Sequence, residues 1–155
     1  MKSRRKGKAV RGSTLTEFAF ILPLLVTVMF GVIDFGRALY TYHFVSDAAR
    51  EASRWASVRG KQCIAWPQAC PANQADVQNY VAGIVPPGID PNPQTLSVAA
   101  TWVAPPGKVG TCNIFPNDAG CAVQVQVTYA FKFMLPFLPK STYAMHSTSE
   151  MIISQ

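Results

Sequence analysis

Between Glu17 and Asp34 the chain runs for sixteen residues, Phe18 to Ile33, without a charge, a few residues after a stretch, 1–12, that carries Lys2, Arg4, Arg5, Lys6, Lys8 and Arg11 and no acid. At about 1.5 Å per helical residue the uncharged run reaches roughly 24 Å. Counted from Ser13 it reaches roughly 31 Å, against a hydrocarbon core of about 30 Å. This pairing of a basic flank with an apolar run points to a membrane-spanning helix whose first twelve residues stay in the cytoplasm and whose remainder is exported. A cleaved secretory signal calls for small residues soon after the apolar run, but Asp34 and Arg37 occupy that place. A buried core helix has no need of six uncompensated positive charges at its start.

The charge is confined to that flank. The other 143 residues hold eight basic and eight acidic side chains, so the net charge of +6 comes from residues 1–12 alone. A nucleic-acid-binding face spreads Lys and Arg over a folded surface with stacking aromatics, and the body of this chain has no such excess. Glu17 is the anomaly of the apolar segment. A carboxylate drawn to the middle of a bilayer costs up to about 3 kcal/mol, so it either reaches the headgroups or meets a cation at its own depth. One such cation can be created: the α-amino group of Ser13, exposed by cleavage behind Gly12.

Gly12 followed five places on by Glu17 and then by a long apolar helix resembles the prepilin-peptidase site of type IV pilin-like proteins. The longer stretch from Thr16 to Ala56 is similar to the N-terminal signature of the TadE-like family, minor pilins or pseudopilins of the tight-adherence (Tad/Flp) pilus system. Glu17-Phe18-Ala19, Leu22-Pro23-Leu24, Asp34-Phe35-Gly36-Arg37 and Ala48-Ala49-Arg50-Glu51 carry the resemblance. It implies cleavage between Gly12 and Ser13, where a glycine without Cβ lets the protease approach the peptide bond, and removal of all six leader charges. It also implies that Glu17 of one subunit pairs with the Ser13 amine of its neighbour in an assembly, where a low dielectric rewards the pairing. Glu17, Phe18 and Pro23 are then the assembly residues. The implied partners are the inner membrane, a prepilin peptidase, other Tad pilins or pseudopilins, and assembly-platform proteins. Pro23 removes the N–H that would bond the Ala19 carbonyl and bends or weakens that turn, which membrane helices tolerate.

Beyond Asp34 the helical pattern runs without proline to Arg59, with Gly60 as a C-cap. Phe35, Tyr42, Ala49 and Ala56 recur every seven residues, and Ala38, Val45 and Ala52 interleave with them, giving a narrow apolar stripe for packing on the protein's own sheet. Asp47/Arg50 and Glu51/Arg54 stand three apart on the opposite side. Asn73 caps a short helix ended by Pro86 and Pro87. Residues 96–102 and 123–133 alternate as strands, and Met145–Ile153 supplies a third. Pro136 and Pro139 close the second strand, and the two Pro-Pro-Gly sequences are turns. A long helix followed by strands without βαβ alternation gives an α+β, pilin-like fold: one helix, half in the membrane and half exported, packed on a small antiparallel sheet. The expected divisions are a leader over 1–12, the span over 13–34, its exported continuation over 35–60, and an extracytoplasmic α+β domain over 61–155.

Cys63, Cys70, Cys112 and Cys121 read as disulfides outside the cytoplasm. Four cysteines allow three connectivities, of which local pairing is the simplest because it requires no rearrangement of the core. Their C-x6-C and C-x8-C spacings miss those of a zinc site. Only two histidines occur, His43 and His146, and neither sits in a metal motif. No nucleophile elbow, phosphate loop or dinucleotide fingerprint is present. The expectation is a structural subunit with no catalytic residue, metal or cofactor. The competing reading is a permanently anchored binding or adhesion module, with Trp55 and Trp66 as interface anchors or simply as packed side chains.

Overall fold

A computed structural model of the chain describes residues 13–63, 70–107, 109–134 and 142–154. The leader, Gly12, Trp66, Pro136 and Pro139 lie outside the described residues. One helix, α1 (Ser13–Ser57), accounts for 45 residues, about 66 Å of rod. Its two halves differ as the sequence predicts. Every residue from Leu15 to Phe30 is exposed, with Phe20 81% and Leu24 68% accessible. A helix that is apolar all round and covered by none of the described residues has the surface expected of a membrane span. From Asp34 onward one face is buried.

That face is not quite the one periodicity selects. Val45, Ala49, Ala52 and Ala56 are buried as expected, together with Ala48, but Phe35 and Tyr42 remain 65% and 55% exposed. Asp34 and Thr41, one residue earlier in each turn, take the inward positions. The stripe was drawn on apolarity, whereas two polar side chains fill it where their hydrogen bonds are met: Thr41 Oγ1 donates to the Arg37 carbonyl at 2.9 Å, and Asp34 is bonded on both oxygens. The helix also stops at Ser57, short of Arg59. Arg59 N bonds back to the Ala56 carbonyl three residues earlier, a tightened last turn, so Gly60 lies beyond the cap position.

Three antiparallel strands follow, β1 (Leu96–Val103), β2 (Ala122–Lys132) and β3 (Thr142–Ile152), in the spatial order β1-β2-β3. Val98 pairs with Val127 and Val127 with Ser147, which places alternate residues of all three strands on one face. On that face Val123, Val125 and Val127 are fully buried against α1, and each contributes roughly 2 kcal/mol of apolar burial. Ser53 of α1 donates to the Arg50 carbonyl and lies 2.9 Å from Ser149 Oγ, so a small polar pair joins the helix to β3. The opposite face carries Thr101, Gln124, Gln126, Thr128, His146 and Thr148, the polar half of the alternation. The fold is α+β, a long N-terminal helix on a small antiparallel sheet, as expected.

The second helix, α2 (Gln74–Gly83), begins at Asn73 with a capping box. Asn73 Oδ1 accepts from Ala75 and Asp76 N–H, and Asp76 accepts from Asn73 N–H. The Gln74 amide reaches the outer edge of β1, donating to the Val98 carbonyl and accepting from Ala100 N–H, and so occupies groups that an added strand would use. A six-residue helix, α3 (Val109–Ile114), was not foreseen, since so short a segment shows no period. At the first Pro-Pro-Gly, Ile89 N bonds the Pro86 carbonyl at 3.3 Å and Gly88 has φ +91°, the position of a type II turn that favours glycine. Disulfides join Cys63 to Cys70 and Cys112 to Cys121. Both lie near the C-terminal end of α1, where Lys61 N bonds the Asn117 carbonyl and Ser154 N the Ser57 carbonyl.

Candidate functional site: the apolar helix and its junction with the sheet

Of the residues singled out for processing and assembly, Ser13 opens α1, and Glu17, Phe18 and Pro23 lie within its first three turns. Glu17 and Phe18 are both exposed on the helix surface. Helix geometry is kept through Pro23. Its missing N–H leaves the Ala19 carbonyl without the usual donor, and Thr27 Oγ1 donates to the Pro23 carbonyl at 2.7 Å, supporting the turn beyond it. The four cysteines are gathered at the other end of α1, about 60 Å from Glu17 by helical rise. The rod therefore separates an exposed apolar end from a cross-linked distal end.

Where α1 leaves the apolar run, Asp34 forms a junction that sequence reasoning missed. Its side chain is 3% exposed as a residue, yet it is the first charge after the span. Oδ1 accepts from Arg37 Nη1 at 2.8 Å, and Oδ2 accepts from the backbone N–H of Met134, just past β2, also at 2.8 Å. The Arg37 guanidinium lies 5.5 Å from the centre of the Phe131 ring. The end of β2 is thus tied to α1 immediately beyond the apolar run. The signal available in the sequence was the Asp34–Arg37 spacing of three, read there as part of a family signature and as the charged end of the apolar run.

Further along the helix, Asp47 and Arg50 pair at 3.6 Å but are both well exposed, a contact of small energetic weight. Glu51 does not pair with Arg54. It accepts a hydrogen bond from Tyr80 Oη at 3.1 Å, because Tyr80 stacks on Trp55 with ring centroids 4.9 Å apart and so carries its hydroxyl to Glu51. Burial, and then the Glu51 carboxylate, raise the Tyr80 phenol above its ordinary value. Trp55 is packed between Tyr80 and Arg59, whose guanidinium sits 4.1 Å from its ring. His43 stands exposed on α1 and His146 on the open face of the sheet.

Comparison with known families bears on the first part of this rod. Residues 12–54 match the family described as TadE-like protein. The TadE-like segment begins at the glycine of the expected cleavage site, includes Glu17, Phe18, Pro23, Asp34 and Arg37, and ends within the last turn of α1. It coincides with the stretch whose motifs carried the resemblance, and it covers roughly a quarter of the chain. Neither the curated proteins nor the solved structures gave a significant match. The similarity thus lies on the helix, and the sheet, α2 and the cysteine loops stand outside it.

Proposed function

We propose that this protein is a minor pilin or pseudopilin of a tight-adherence pilus system, held in the inner membrane by the first half of α1 and acting by assembly with other subunits and not by catalysis. The observation that carries the reading is the division of one continuous helix. The TadE-like match takes in nearly all of it; its N-terminal half is apolar and exposed all round, while its second half is seated in an α+β domain. A soluble protein does not leave sixteen consecutive helical residues uncovered. In this reading residues 1–12 face the cytoplasm and the sheet lies on the far side, where the two disulfides persist.

A prepilin peptidase cuts behind Gly12 and leaves an ammonium at Ser13. In a filament or an assembly complex, that ammonium on one subunit faces Glu17 of the next, and the exposed Phe18 packs beside them. Pro23 gives the helix a turn that is easier to bend as it leaves the bilayer. Mass spectrometry of the N-terminus in cells with and without a prepilin peptidase tests the reading. Ser13 as first residue only in the presence of the peptidase agrees with it, whereas retention of Met1 or Lys2 in both favours a permanently anchored module. A Glu17→Ala chain should still be cleaved and should fail to co-purify with pilin subunits. Normal incorporation would overturn the role given to Glu17.

A further inference from the structure

The sheet is tied to α1 at two levels. Met134 N–H donates to the Asp34 carboxylate next to the apolar run, and Ser154 N–H donates to the Ser57 carbonyl, roughly 35 Å further along the helix. The end of β2 and the start of β3, which pair through Phe131–Tyr143 and Lys132–Thr142, therefore lie toward the exposed half of α1. We propose that this end of the sheet, through Phe133, Met134 and Tyr143, sits in the boundary between headgroups and acyl chains of the leaflet it faces, a second lipid contact beside the helix. The proposal rests on the reading of α1 as a membrane anchor.

Depth is the first argument. Asp34 follows Ile33, the last residue of the uncharged run, by about 1.5 Å of helical rise, and its carboxylate holds the Met134 backbone at that level. Aromatic and apolar side chains gather at this depth of a bilayer. The second argument is the exposed chemistry. Met134 is 69% and Tyr143 62% exposed, and Phe133 is partly exposed, edge-on to the buried Phe131 ring with centroids 5.1 Å apart. Phe30, one turn before Asp34 on the same side of the helix, is exposed as well, so the apolar surface of α1 continues onto the end of the sheet.

The polar groups at this level are already matched. Met134 N–H and Arg37 Nη1 each donate to one Asp34 oxygen at 2.8 Å, so removal from water leaves neither that N–H nor the carboxylate without a partner. A tyrosine suits the boundary because its ring is apolar while its hydroxyl reaches water. Exposure alone does not decide the matter. Ile114 is as exposed as Met134 but lies beyond the far end of α1, where the neighbouring Phe115 ring sits 3.9 Å from Lys61 Nζ. It shares the chemistry without the depth.

Nitroxide labels on single cysteines, introduced as Met134→Cys, Tyr143→Cys, Phe20→Cys and Ile114→Cys in the full chain, test the contact in phosphatidylcholine nanodiscs. Power-saturation EPR compares access of oxygen, which concentrates in lipid, with access of a water-soluble nickel chelate. The native cysteines are paired in disulfides and take no label, and Met134→Cys keeps the backbone N–H that Asp34 holds. The labels at Met134 and Tyr143 are expected to lose nickel access and gain oxygen access as the label at Phe20 does, while the label at Ile114 stays open to nickel. With Phe20 in lipid, labels at Met134 and Tyr143 as open to nickel as Ile114, or closed to both reagents, would overturn the second contact and leave the anchor standing. Nickel access at Phe20 would contradict the anchor itself, and the proposal with it.

Discussion

Replacing Asp34 should loosen the sheet from the part of α1 next to the apolar run without removing either element. The Asp34 carboxylate is buried and bonds two partners at 2.8 Å, the Arg37 guanidinium and the Met134 N–H. In Asp34→Ala the Met134 N–H loses its acceptor, a cost of about 1–3 kcal/mol. The loss on the Arg37 side is smaller, because that side chain is 43% exposed and water takes over part of the interaction. Together these give about 2–3 kcal/mol, or a fall in Tm of roughly 5–10 °C for a domain of this size. Asp34→Asn retains a carbonyl oxygen for one partner and should lose about half as much. Thermal unfolding by circular dichroism in detergent reads the magnitude, and hydrogen exchange at Met134 reads the place. An Asp34→Ala chain with wild-type Tm and unchanged exchange at Met134 would refute the reasoning.

Other perturbations separate packing, turn, cross-link and titration. Val125→Ala removes two methyl groups from a fully buried site and should cost about 2 kcal/mol, while Gln126→Ala on the open face should stay within about 0.5 kcal/mol, both read by urea unfolding. Gly88→Ala places a Cβ at φ +91° where nothing crowds it, so only backbone strain is felt; about 1 kcal/mol of lost stability is expected in the same assay. The Cys112–Cys121 bond closes a loop of 9 residues, and Cys112→Ser with Cys121→Ser should lose about 2–3 kcal/mol, seen as a lower Tm under non-reducing conditions. Because the Tyr80 phenol is raised in the folded state, its contribution is present below its unfolded value of 10.0 and is lost as pH rises above it. Urea midpoints at pH 9 and 11 should therefore converge more closely in Tyr80→Phe than in wild type.

Much of this architecture could be read from the chain because its two periods are clean. The alternation of Val123, Val125 and Val127 fixed β2, the run from Phe18 to Ile33 marked the exposed apolar half of α1, and Asn73 fixed the start of α2. What escaped were polar side chains doing the work of apolar ones. Asp34 and Thr41 fill the helix–sheet seam because partners distant in sequence, Met134 for one, or a turn back along the helix, the Arg37 carbonyl, satisfy them. A hydropathy stripe assigns those places to Phe35 and Tyr42. The Gln74 clasp on β1 and the Glu51–Tyr80 bond depend likewise on how α2 docks, which no local pattern encodes. For the candidate site, Glu17 and Pro23 stood out as exceptions within an apolar run, whereas the Asp34 junction exists only once Met134, 100 positions away, is brought to the helix.

The account depends on α1 crossing a bilayer with the sheet on the outer side. Protease added to intact spheroplasts, followed by detection of an epitope fused to the C-terminus, tests this most directly. The account predicts that the chain sediments with membranes, resists carbonate extraction and loses the epitope without lysis. An epitope protected until the cells are broken, or a chain recovered in the soluble fraction, would contradict it.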